Sequence, residues 1–325
     1  MDGLIAITYR CNAQCKMCGI WRNPSIPEEE ITPADVDIIP SGLRFVNITG
    51  GEPFVREDIE EFVKILRRKT DRIVISTNGF YTKRILNFAQ RHPEVGIRVS
   101  LEGFTKLNDE LRGIDGGFEH GLKTLVELNA MGIKDIGFGI TLSDANPEDL
   151  MPLFHLSEAM KMEFATAAVH NTYYFHKFDN AIERQNSVIS ALEQLVNELL
   201  QTSRPKNWFR AYFNHGLINY VKGNNRLLPC RAGTVMFFID PFGEVHACNA
   251  MEDSFGNIRQ QKWDEIWNGE RAIEIREKIA SSPQKCWMIG SVAPVIKKKI
   301  LTTSMWVMKN KIKIILGKKY CAPKD

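Results

Sequence analysis

The chain has 325 residues, of which 44% are hydrophobic and 25% charged, so it can bury a sizeable core divided between one large and one small domain. A formal net charge of +3 gives no reason to expect a nucleic-acid partner, and Met1 runs into a strand-like segment without the features of a secretory signal. Seven cysteines, three of them close together, do not fit a disulfide framework and favour a reducing, cytoplasmic compartment.

Strand-like and helix-like segments alternate through the first half of the chain. Apolar runs predict six strands, at residues 4–9, 45–49, 73–76, 97–101, 136–142 and 164–170. Helical periodicity predicts helices between them, at residues 58–68, 83–91, 121–131 and 146–160. This alternation predicts a parallel α/β sheet with ligands at the carboxyl ends of its strands. Periodicity alone leaves an open doubly wound sheet and a barrel as alternatives.

Three cysteines, Cys11, Cys15 and Cys18, follow the first predicted strand at a C-x3-C-x2-C spacing. Iron–sulfur clusters commonly take four cysteine thiolates, and the next cysteine in the chain is Cys230. Three thiolates on one loop can hold three irons of a cubane and leave the fourth iron open to a ligand from outside the protein. Taken alone, the trio could also be a zinc site or a buried apolar cluster.

A glycine-rich turn, Gly50-Gly51-Glu52-Pro53, follows the second predicted strand. Paired glycines let a backbone approach a ligand closely, the proline stiffens the exit, and the glutamate offers a carboxylate. An ordinary strand-to-helix turn would use the same residue types. The position of this turn, one strand–helix unit after the cysteines, favours a shared binding site.

The cysteine spacing, together with the Gly-Gly-Glu-Pro turn, resembles the radical SAM superfamily, and the resemblance covers most of the chain. It implies a partial (β/α)6 barrel with a 4Fe-4S cluster on Cys11, Cys15 and Cys18. It also implies S-adenosylmethionine on the open iron, cleaved reductively to a 5'-deoxyadenosyl radical that takes hydrogen from a substrate. The electron donor expected for such an enzyme is a flavodoxin or a ferredoxin.

The same resemblance implies cofactor-binding residues at the ends of successive strands: Gly50, Gly51, Glu52, Pro53, Asn78, Ser100, Glu102, Arg112 and Thr141. The glycine-rich turn would hold the methionine amino group, Ser100 and Glu102 the ribose and the methionine carboxylate, and Thr141 would lie near adenine. Arg112 would pair with the methionine carboxylate or with substrate, or else form a surface ion pair. Taken singly, the Asn78 and Glu102 segments are also ordinary turns.

Beyond about residue 180 the alternation stops. One amphipathic helix is predicted at residues 181–201, and we place the end of a first domain, residues 1–205, after it. Tyr173 and His176 follow the sixth predicted strand. They could act as acid or base in a substrate pocket, although packing is the plainer interpretation.

Residues 206–295 contain an Asp-Pro-Phe-Gly hairpin signal between Cys230 and Cys248. This part resembles a Twitch or partial SPASM domain, which implies a small α+β unit with an auxiliary 4Fe-4S cluster. The tail has four cysteines where a full SPASM domain needs seven, which limits it to one auxiliary cluster. Cys230, Cys248 and Cys286 are the expected ligands, with the fourth ligand open. Alternatively, these cysteines are buried free thiols, or one of them donates a hydrogen atom to a substrate radical.

Residues 296–325 are predicted to form a basic amphipathic helix in which lysines alternate with large apolar residues. No run reaches the roughly 18 uncharged residues needed to span a bilayer. Such a helix could lie on an anionic membrane or pack on the barrel with a solvated lysine face. We therefore expect a cytoplasmic protein, peripheral at the inner face of the membrane in the first case.

These patterns favour a radical SAM enzyme acting on a small molecule, such as a sugar, an alcohol or a related metabolite, by oxidation, epimerisation or rearrangement. A peptide-modifying (RiPP-type) maturase is the second hypothesis. The chain starts at the first predicted strand, which leaves no room for a leader-binding domain and favours the first hypothesis. A non-catalytic metal-bound scaffold is the third. Fold-level analogy cannot identify the substrate.

Overall fold

The computed structural model describes residues 1–323. It contains one nine-stranded sheet in the order β6-β5-β4-β3-β2-β1-β7-β8-β9. The strands are β1 Asp2–Ala6, β2 Phe45–Thr49, β3 Ile73–Thr77, β4 Gly96–Ser100, β5 Ile136–Leu142, β6 Glu163–Ala168, β7 Met236–Ile239, β8 Glu244–His246 and β9 Ser254–Asn257. Strands β1 to β7 pair in parallel, and β8 and β9 are antiparallel. Within the described residues the sheet stays open, as a partial barrel.

Eleven α-helices are found in the described part of the chain. They are α1 Ile59–Leu66, α2 Thr82–Arg91, α3 Thr105–Arg112, α4 Gly117–Ala130, α5 Leu150–Ala159, α6 Gln185–Gln201, α7 Pro205–Val221, α8 Trp263–Asn268, α9 Glu270–Ser281, α10 Ile289–Lys298 and α11 Ile300–Ile315. Helices α1 to α5 lie between the parallel strands in sequence, which confirms the predicted alternation of strands and helices.

Strand β2 shows how the sheet divides its two faces, because neighbouring side chains of a strand point in opposite directions. Val46 and Ile48 are fully buried in the same apolar cluster as Phe62 of α1. Asn47 and Thr49 point to the opposite, inner face and are partly exposed. Burial of each large apolar side chain stabilises the outer layer by roughly 1.5–3 kcal/mol. The outer face therefore forms the core, and the inner face keeps polar groups accessible.

Strand β7 joins the part of the chain after residue 205 to the first part, because it pairs in parallel with β1. The predicted hairpin turn is confirmed between β7 and β8. There Asp240 Oδ1 accepts hydrogen bonds from the backbone N–H groups of Phe242 and Glu244, both at 2.9 Å. The predicted boundary between residues 205 and 206 thus falls within a unit that shares one sheet, and it stays a prediction.

Some element bounds differ from the predicted ones. Strand β1 ends at Ala6 instead of residue 9, because the chain leaves the ladder there to form the cysteine loop. Helix α6 begins four residues later than predicted. The N–H groups of Glu183 and Arg184 donate to Asp144, which holds the preceding residues on the loop after β5.

The single helix predicted for residues 296–325 is two helices in the structure. Helix α10 ends at Lys298 and α11 begins at Ile300, with Lys299 outside the helical region at φ −102° and ψ 41°. Residues 324–325 of that prediction lie outside the described residues.

Candidate active site

The loop after β1 places Cys11, Cys15 and Cys18 at the carboxyl edge of the sheet, and all three are partly exposed. Burial raises the pKa of the Cys11 thiol to about 12 and that of Cys18 to about 11, and it also raises the pKa of Cys15. Metals and clusters bind thiolates, so this loop needs positive charge to hold a deprotonated set. Arg112 supplies it, because its charge lowers the pKa of all three thiols against the effect of burial.

Backbone hydrogen bonds tie the cysteine loop to the end of α3. Gln14 N–H donates to the Arg112 carbonyl at 3.0 Å, and Lys16 N–H donates to the Leu111 carbonyl at 2.9 Å. Gly113 follows at φ +58°, where a Cβ atom would lie 2.4 Å from the Gln14 carbonyl oxygen. Only glycine fits this close approach without displacement. The loop is therefore positioned by main-chain contacts that do not depend on its own side chains.

The Gly50-Gly51 turn packs on the other side of the same loop. A Cβ atom on Gly50 would lie 2.4 Å from the Thr8 carbonyl oxygen, and one on Gly51 would lie 2.3 Å from the Arg10 carbonyl oxygen. Gly51 N–H donates to Thr8 at 2.8 Å, and Glu52 N–H donates to Arg10 at 2.9 Å. The predicted proximity of turn and cysteines is present, and the glycines are required by the contact between these two backbones.

The Glu52 side chain is fully buried and bonded within the protein. Its carboxylate accepts hydrogen bonds from the Thr77 hydroxyl at 2.8 Å, from Phe54 N–H at 3.1 Å and from Asn78 N–H at 2.7 Å. Burial raises the pKa of this carboxyl group, and these hydrogen bonds oppose the shift. Glu52 therefore links the turn that ends at Pro53 to the end of β3. Because the Glu52 carboxylate is already hydrogen-bonded, the backbone of the turn is the group that would contact the methionine amino group. This contact stays a prediction.

Glu102 and Arg112 form a buried ion pair, so the alternative of a surface ion pair for Arg112 does not hold. Arg112 Nη1 donates to Glu102 Oε1 at 2.9 Å, and Thr141 N–H donates to Glu102 Oε2 at 2.6 Å. Burial tends to lower the pKa of Arg112, but Cys15, Glu102 and Cys11 together raise it. Arg112 Nε is buried and has no hydrogen-bond partner within residues 1–323. The Arg112 Nε–H group, a donor on a charged side chain, is thus available for a further hydrogen bond close to the cysteines.

The remaining predicted cofactor residues lie along the inner face of the sheet and its edge. Asn78, 5% exposed, donates from Nδ2 to Asn12 Oδ1 at 2.7 Å. Ser100 is partly exposed at the end of β4, and Thr141 is partly exposed on β5. Sequence reasoning missed Asn12 and also Asn47, which accepts a hydrogen bond from Ser76 at 3.1 Å. The alternation of Asn47 and Thr49 with the apolar Val46 and Ile48 along β2 was the signal for the second of these.

A segment after β6 lies across the inner face of the sheet. The Tyr174 hydroxyl donates to the Gly50 carbonyl at 2.7 Å and lies 3.3 Å from Thr49 Oγ1. Tyr174 is buried and packs with Tyr9 and Phe238 in a second apolar cluster. Sequence reasoning selected Tyr173 and His176 but missed Tyr174, which lies between them in the chain. Its hydroxyl ties this segment directly to the glycine-rich turn.

Tyr173 and His176, the predicted acid–base candidates, lie in the same segment, with ring centroids 6.0 Å apart. His176 has a left-handed backbone at φ +47°, which is uncommon outside glycine. Its Nε2 atom is buried without a hydrogen-bond partner in the described part of the chain, and burial lowers its pKa. The two rings lie near Tyr9, whose centroid is 5.2 Å from that of His176. The structure therefore brings His176 to the residue two positions before Cys11, with Tyr173 next to His176.

A second cysteine site is formed by Cys230, Cys248 and Cys286, which are close enough to act on one another electrostatically. Burial raises the pKa of Cys248 to about 12. Arg226 Nη1 lies 3.5 Å from Cys286 Sγ, and Arg226 Nη2 is buried with no partner among the described residues. A cavity of about 440 Å³ opens beside Cys230 and Arg226. Cys321, the fourth cysteine of this part of the chain, is exposed.

His170 and Trp287 connect this second site to the barrel. His170 Nε2 accepts a hydrogen bond from Trp287 N–H at 3.1 Å, and its Nδ1 lies 2.7 Å from the Ala168 carbonyl oxygen. The His170 ring stacks on Tyr220 at 4.0 Å, and burial lowers its pKa to about 4. A neutral imidazole thus joins the end of β6 to the residue after Cys286. Trp287 is buried and donates from Nε1 to the Phe213 carbonyl at 2.8 Å.

The donors of both sites suit iron–sulfur clusters. Each site has three thiols and an arginine with an unused buried nitrogen. No group of three or more His, Cys, Asp or Glu side chains within residues 1–323 is arranged to hold a single metal ion. The thiolates around a cubane bind different irons, so they do not need to converge on one point.

Comparisons with known proteins agree with this donor chemistry. A family model described as the radical SAM superfamily matches residues 5–156, and the SPASM model, described as an iron–sulfur cluster-binding domain, matches residues 230–288. The first match contains the cysteine loop and the glycine-rich turn. The second runs from Cys230 to Met288 and so contains all three cysteines of the second site.

Curated relatives span two substrate classes. The chain is 27% identical over 296 residues to Fe-coproporphyrin III synthase of Methanosarcina barkeri, which covers 80% of this chain and 72% of that protein. It is also 27% identical over 296 residues to the mycofactocin maturase MftC of Mycobacterium tuberculosis, covering 88% and 73% respectively. Among solved structures, native anSMEcpe with bound AdoMet and Cp18Cys peptide has a TM-score of 0.64 at 11% identity, covering 95% of this chain and 99% of that one. The last similarity is one of fold.

Proposed function

This chain belongs to the radical SAM superfamily and carries a SPASM-type domain, and on that premise we propose that it abstracts hydrogen from a polar small molecule such as a sugar, an alcohol or a related metabolite. Family membership implies a 4Fe-4S cluster with S-adenosylmethionine, and the SPASM domain implies an auxiliary cluster. When bound, the first cluster and its cofactor supply a 5'-deoxyadenosyl radical. The product would arise by oxidation, epimerisation or rearrangement.

Cys11, Cys15 and Cys18 would hold the first cluster. The main-chain contacts on both sides of their loop fix the ligands before the cluster binds, so less ordering free energy is lost on binding. The Arg112 guanidinium would offset the thiolate charge and use its free Nε–H toward an anionic group of the cofactor.

We assign the remaining cofactor contacts by position. The Gly50–Pro53 backbone would meet the methionine amino group, and Asn78, Ser100 and Thr141 would line the ribose and adenine. Glu102 already accepts hydrogen bonds from Arg112 and Thr141 N–H. It would therefore position these two groups for the cofactor more than contact it directly.

The observation that carries the small-molecule proposal is the polar inner face of the sheet beside the cysteine loop. Asn47, Thr49, Ser76 and Ser100 lie there and are partly exposed, whereas the outer positions of the same strands are apolar and buried. Polar groups at this density suit a hydroxyl-rich substrate, because each substrate hydroxyl needs a partner once water is excluded. Tyr173 and His176 would supply proton transfer at that substrate.

A peptide substrate is the second candidate, because MftC is a maturase and anSMEcpe binds a peptide. Against it, the inner face is partly filled by Tyr9, Tyr174 and Phe238, which are 1–3% exposed. This aromatic cluster narrows the space available next to the cysteines. A compact substrate would fit that space better than an extended chain.

Cys230, Cys248 and Cys286 would hold the auxiliary cluster. Arg226 would offset its charge, and the cavity beside Cys230 would leave space for a fourth ligand on that side of the site. Electrons would come from a flavodoxin or ferredoxin that docks near one of the two cysteine sites.

Anaerobic reconstitution with iron and sulfide tests the proposal. We expect about eight irons per chain from two cubanes, and formation of 5'-deoxyadenosine after addition of dithionite and S-adenosylmethionine. A panel of sugars and alcohols deuterated at carbon is then compared with peptides, and deuterium in the nucleoside identifies the class that donates hydrogen. Bound zinc with no nucleoside would overturn the enzymatic assignment, and transfer from peptides alone would establish the second candidate.

A further inference from the structure

Helix α11 carries its apolar side chains on the side that faces away from the protein. The outward positions recur every three or four residues and are strongly exposed: Leu301 78%, Met305 70%, Met308 60%, Ile312 52% and Ile315 79%. Thr303 and Asn310 are buried on the opposite side, together with Val307. A helix that only covers a core would show the reverse pattern. We call the five outward residues the apolar stripe.

Inward contacts fix the orientation of this helix. Lys311 Nζ donates to the carbonyls of Leu200 and Thr202 at 2.8 and 3.0 Å and lies 4.3 Å from the Trp208 ring centroid. Trp306 stacks on His215 with centroids 4.8 Å apart. These contacts would be lost if the helix rolled to bury the apolar stripe. The apolar stripe is therefore held at the surface of the folded chain by the inward contacts of the same helix.

Positive charge lies along one flank of the apolar stripe and at the two ends of α11. Residues 289–323 contain eight lysines and no aspartate or glutamate, whereas the rest of the chain is net negative because the total is only +3. On a helical wheel, exposed Lys309 and Lys313 lie on one flank of the stripe. Large apolar side chains with flanking lysines are the pattern of helices that lie in the surface of an anionic bilayer.

We propose that α11 docks this protein on an anionic phospholipid bilayer, with the apolar stripe inserted between headgroups and the lysines at the phosphates. A second copy of the chain is a poorer occupant, because symmetric pairing would bring two sets of lysines together. No helix among residues 1–323 is long and apolar enough to cross a bilayer.

Co-sedimentation of the full chain with vesicles tests the proposal. We expect binding to vesicles of phosphatidylglycerol and phosphatidylcholine at low and moderate salt, and about tenfold weaker binding to phosphatidylcholine alone. Equal binding to both vesicle types, or binding to neither, would overturn it.

Matched variants distinguish vesicle binding through the apolar stripe from non-specific adsorption through other exposed apolar side chains. The triple change Met305→Ser, Met308→Ser and Ile312→Ser should weaken binding about tenfold or more. The control triple Ile26→Ser, Val126→Ser and Ile273→Ser removes apolar side chains that are 55%, 50% and 49% exposed elsewhere, and it should bind normally. Equal loss in both triples would contradict a specific role for α11.

The charge pair Lys309→Glu and Lys313→Glu should also weaken binding, and the effect should shrink in high salt. Lys64→Glu with Lys134→Glu is the control at exposed positions. Circular dichroism confirms that each variant is folded. Light scattering without vesicles tests whether a second copy of the chain covers the apolar stripe instead. A dimer that the stripe variants dissociate would show this and would overturn the membrane assignment.

Discussion

The cysteine loop spans eight residues, from Cys11 to Cys18, and is held by main-chain hydrogen bonds to the glycine-rich turn and to the end of α3. Cys230, Cys248 and Cys286 come instead from three separate segments, and the segment of Cys286 is fixed by the side chains of Arg226 and His170. The ligands of the first site are thus close together in the sequence, whereas those of the second are brought together only by tertiary packing. Substitutions at the second site should therefore disturb the side-chain contacts around Cys286 and leave the first site intact.

The largest expected effect separates the two sites directly. Cys11→Ala should abolish 5'-deoxyadenosine formation, because the remaining two thiolates cannot hold a cubane with an open iron. Cys248→Ala should remove about half of the bound iron and retain cofactor cleavage, while substrate conversion is lost. Iron counts and nucleoside detection by chromatography check both variants.

Cys321→Ala is the matched control for these two variants, because Cys321 is an exposed cysteine that belongs to neither group of three. It should match the unmodified protein in iron content and activity. If Cys248→Ala also abolished nucleoside formation, the two sites would not be independent, and the comparison would fail.

The substitution Arg112→Gln should have the next largest effect, on both stability and cofactor binding. It leaves the buried Glu102 carboxylate without its ion-pair partner, which costs about 3–5 kcal/mol of unfolding free energy. Cofactor affinity should fall as well, because the positive charge beside the thiolates is lost. Chemical denaturation of the apo-protein and calorimetric titration of the reconstituted protein measure the two effects.

Arg91→Gln is the control for Arg112→Gln. Arg91 pairs with Glu60 at the surface, where its side chain is 57% exposed, so the change should leave the unfolding free energy nearly unchanged. Equal destabilisation by both variants would show that the Arg112 pair has no special role.

Gly113→Ala tests the main-chain lock on the cysteine loop. The new Cβ would meet the Gln14 carbonyl oxygen at 2.4 Å and would also occupy a left-handed backbone at φ +58°. Gly132→Ala at φ +78° introduces the same backbone conformation with nothing within 4 Å, so it should cost only about 1 kcal/mol. We expect Gly113→Ala to cost at least about 1 kcal/mol more and to reduce iron binding at the first site. Equal melting temperatures for the two variants would argue against the lock.

His170→Gln should have the smallest effect, confined to the second site. The pKa of His170 is lowered to about 4, so the folded state keeps this ring neutral while the unfolded chain takes up a proton below about pH 6.5. The His170 contribution to stability is therefore present above pH 6.5 and is lost as the pH falls toward 4. Replacement should cost about 1–2 kcal/mol near pH 7 and flatten this part of the pH profile of the apo-protein.

His155→Gln, at a ring that is 58% exposed, is the control for His170→Gln. Its unfolding free energy and pH profile should match those of the unmodified protein. If His170→Gln kept the full pH dependence of unfolding, the buried neutral ring would not be its source.

Local pattern was sufficient for much of the fold and of the first site. The alternation of apolar runs with helical periodicity predicted strands β1 to β6, since each side chain of a strand points to one face. The spacing of Cys11, Cys15 and Cys18 and the Gly50-Gly51 turn predicted a shared site, because parallel strands place their carboxyl ends at one edge. Each motif is local in the sequence, with the three cysteines inside eight residues and the two glycines adjacent, and strand order alone brings the two motifs to the same edge.

Tertiary structure alone decided the rest. Pairing of β7 with β1, burial of Glu52 among Thr77 and Asn78, and the meeting of Tyr174 with Gly50 each join residues separated by 25 to more than 200 positions. No local pattern records such contacts, because they depend on how whole layers pack. The polarity of α11 has the same origin: the sequence predicts an amphipathic helix, but only its docking on α6 and α7 determines that the apolar side faces outward.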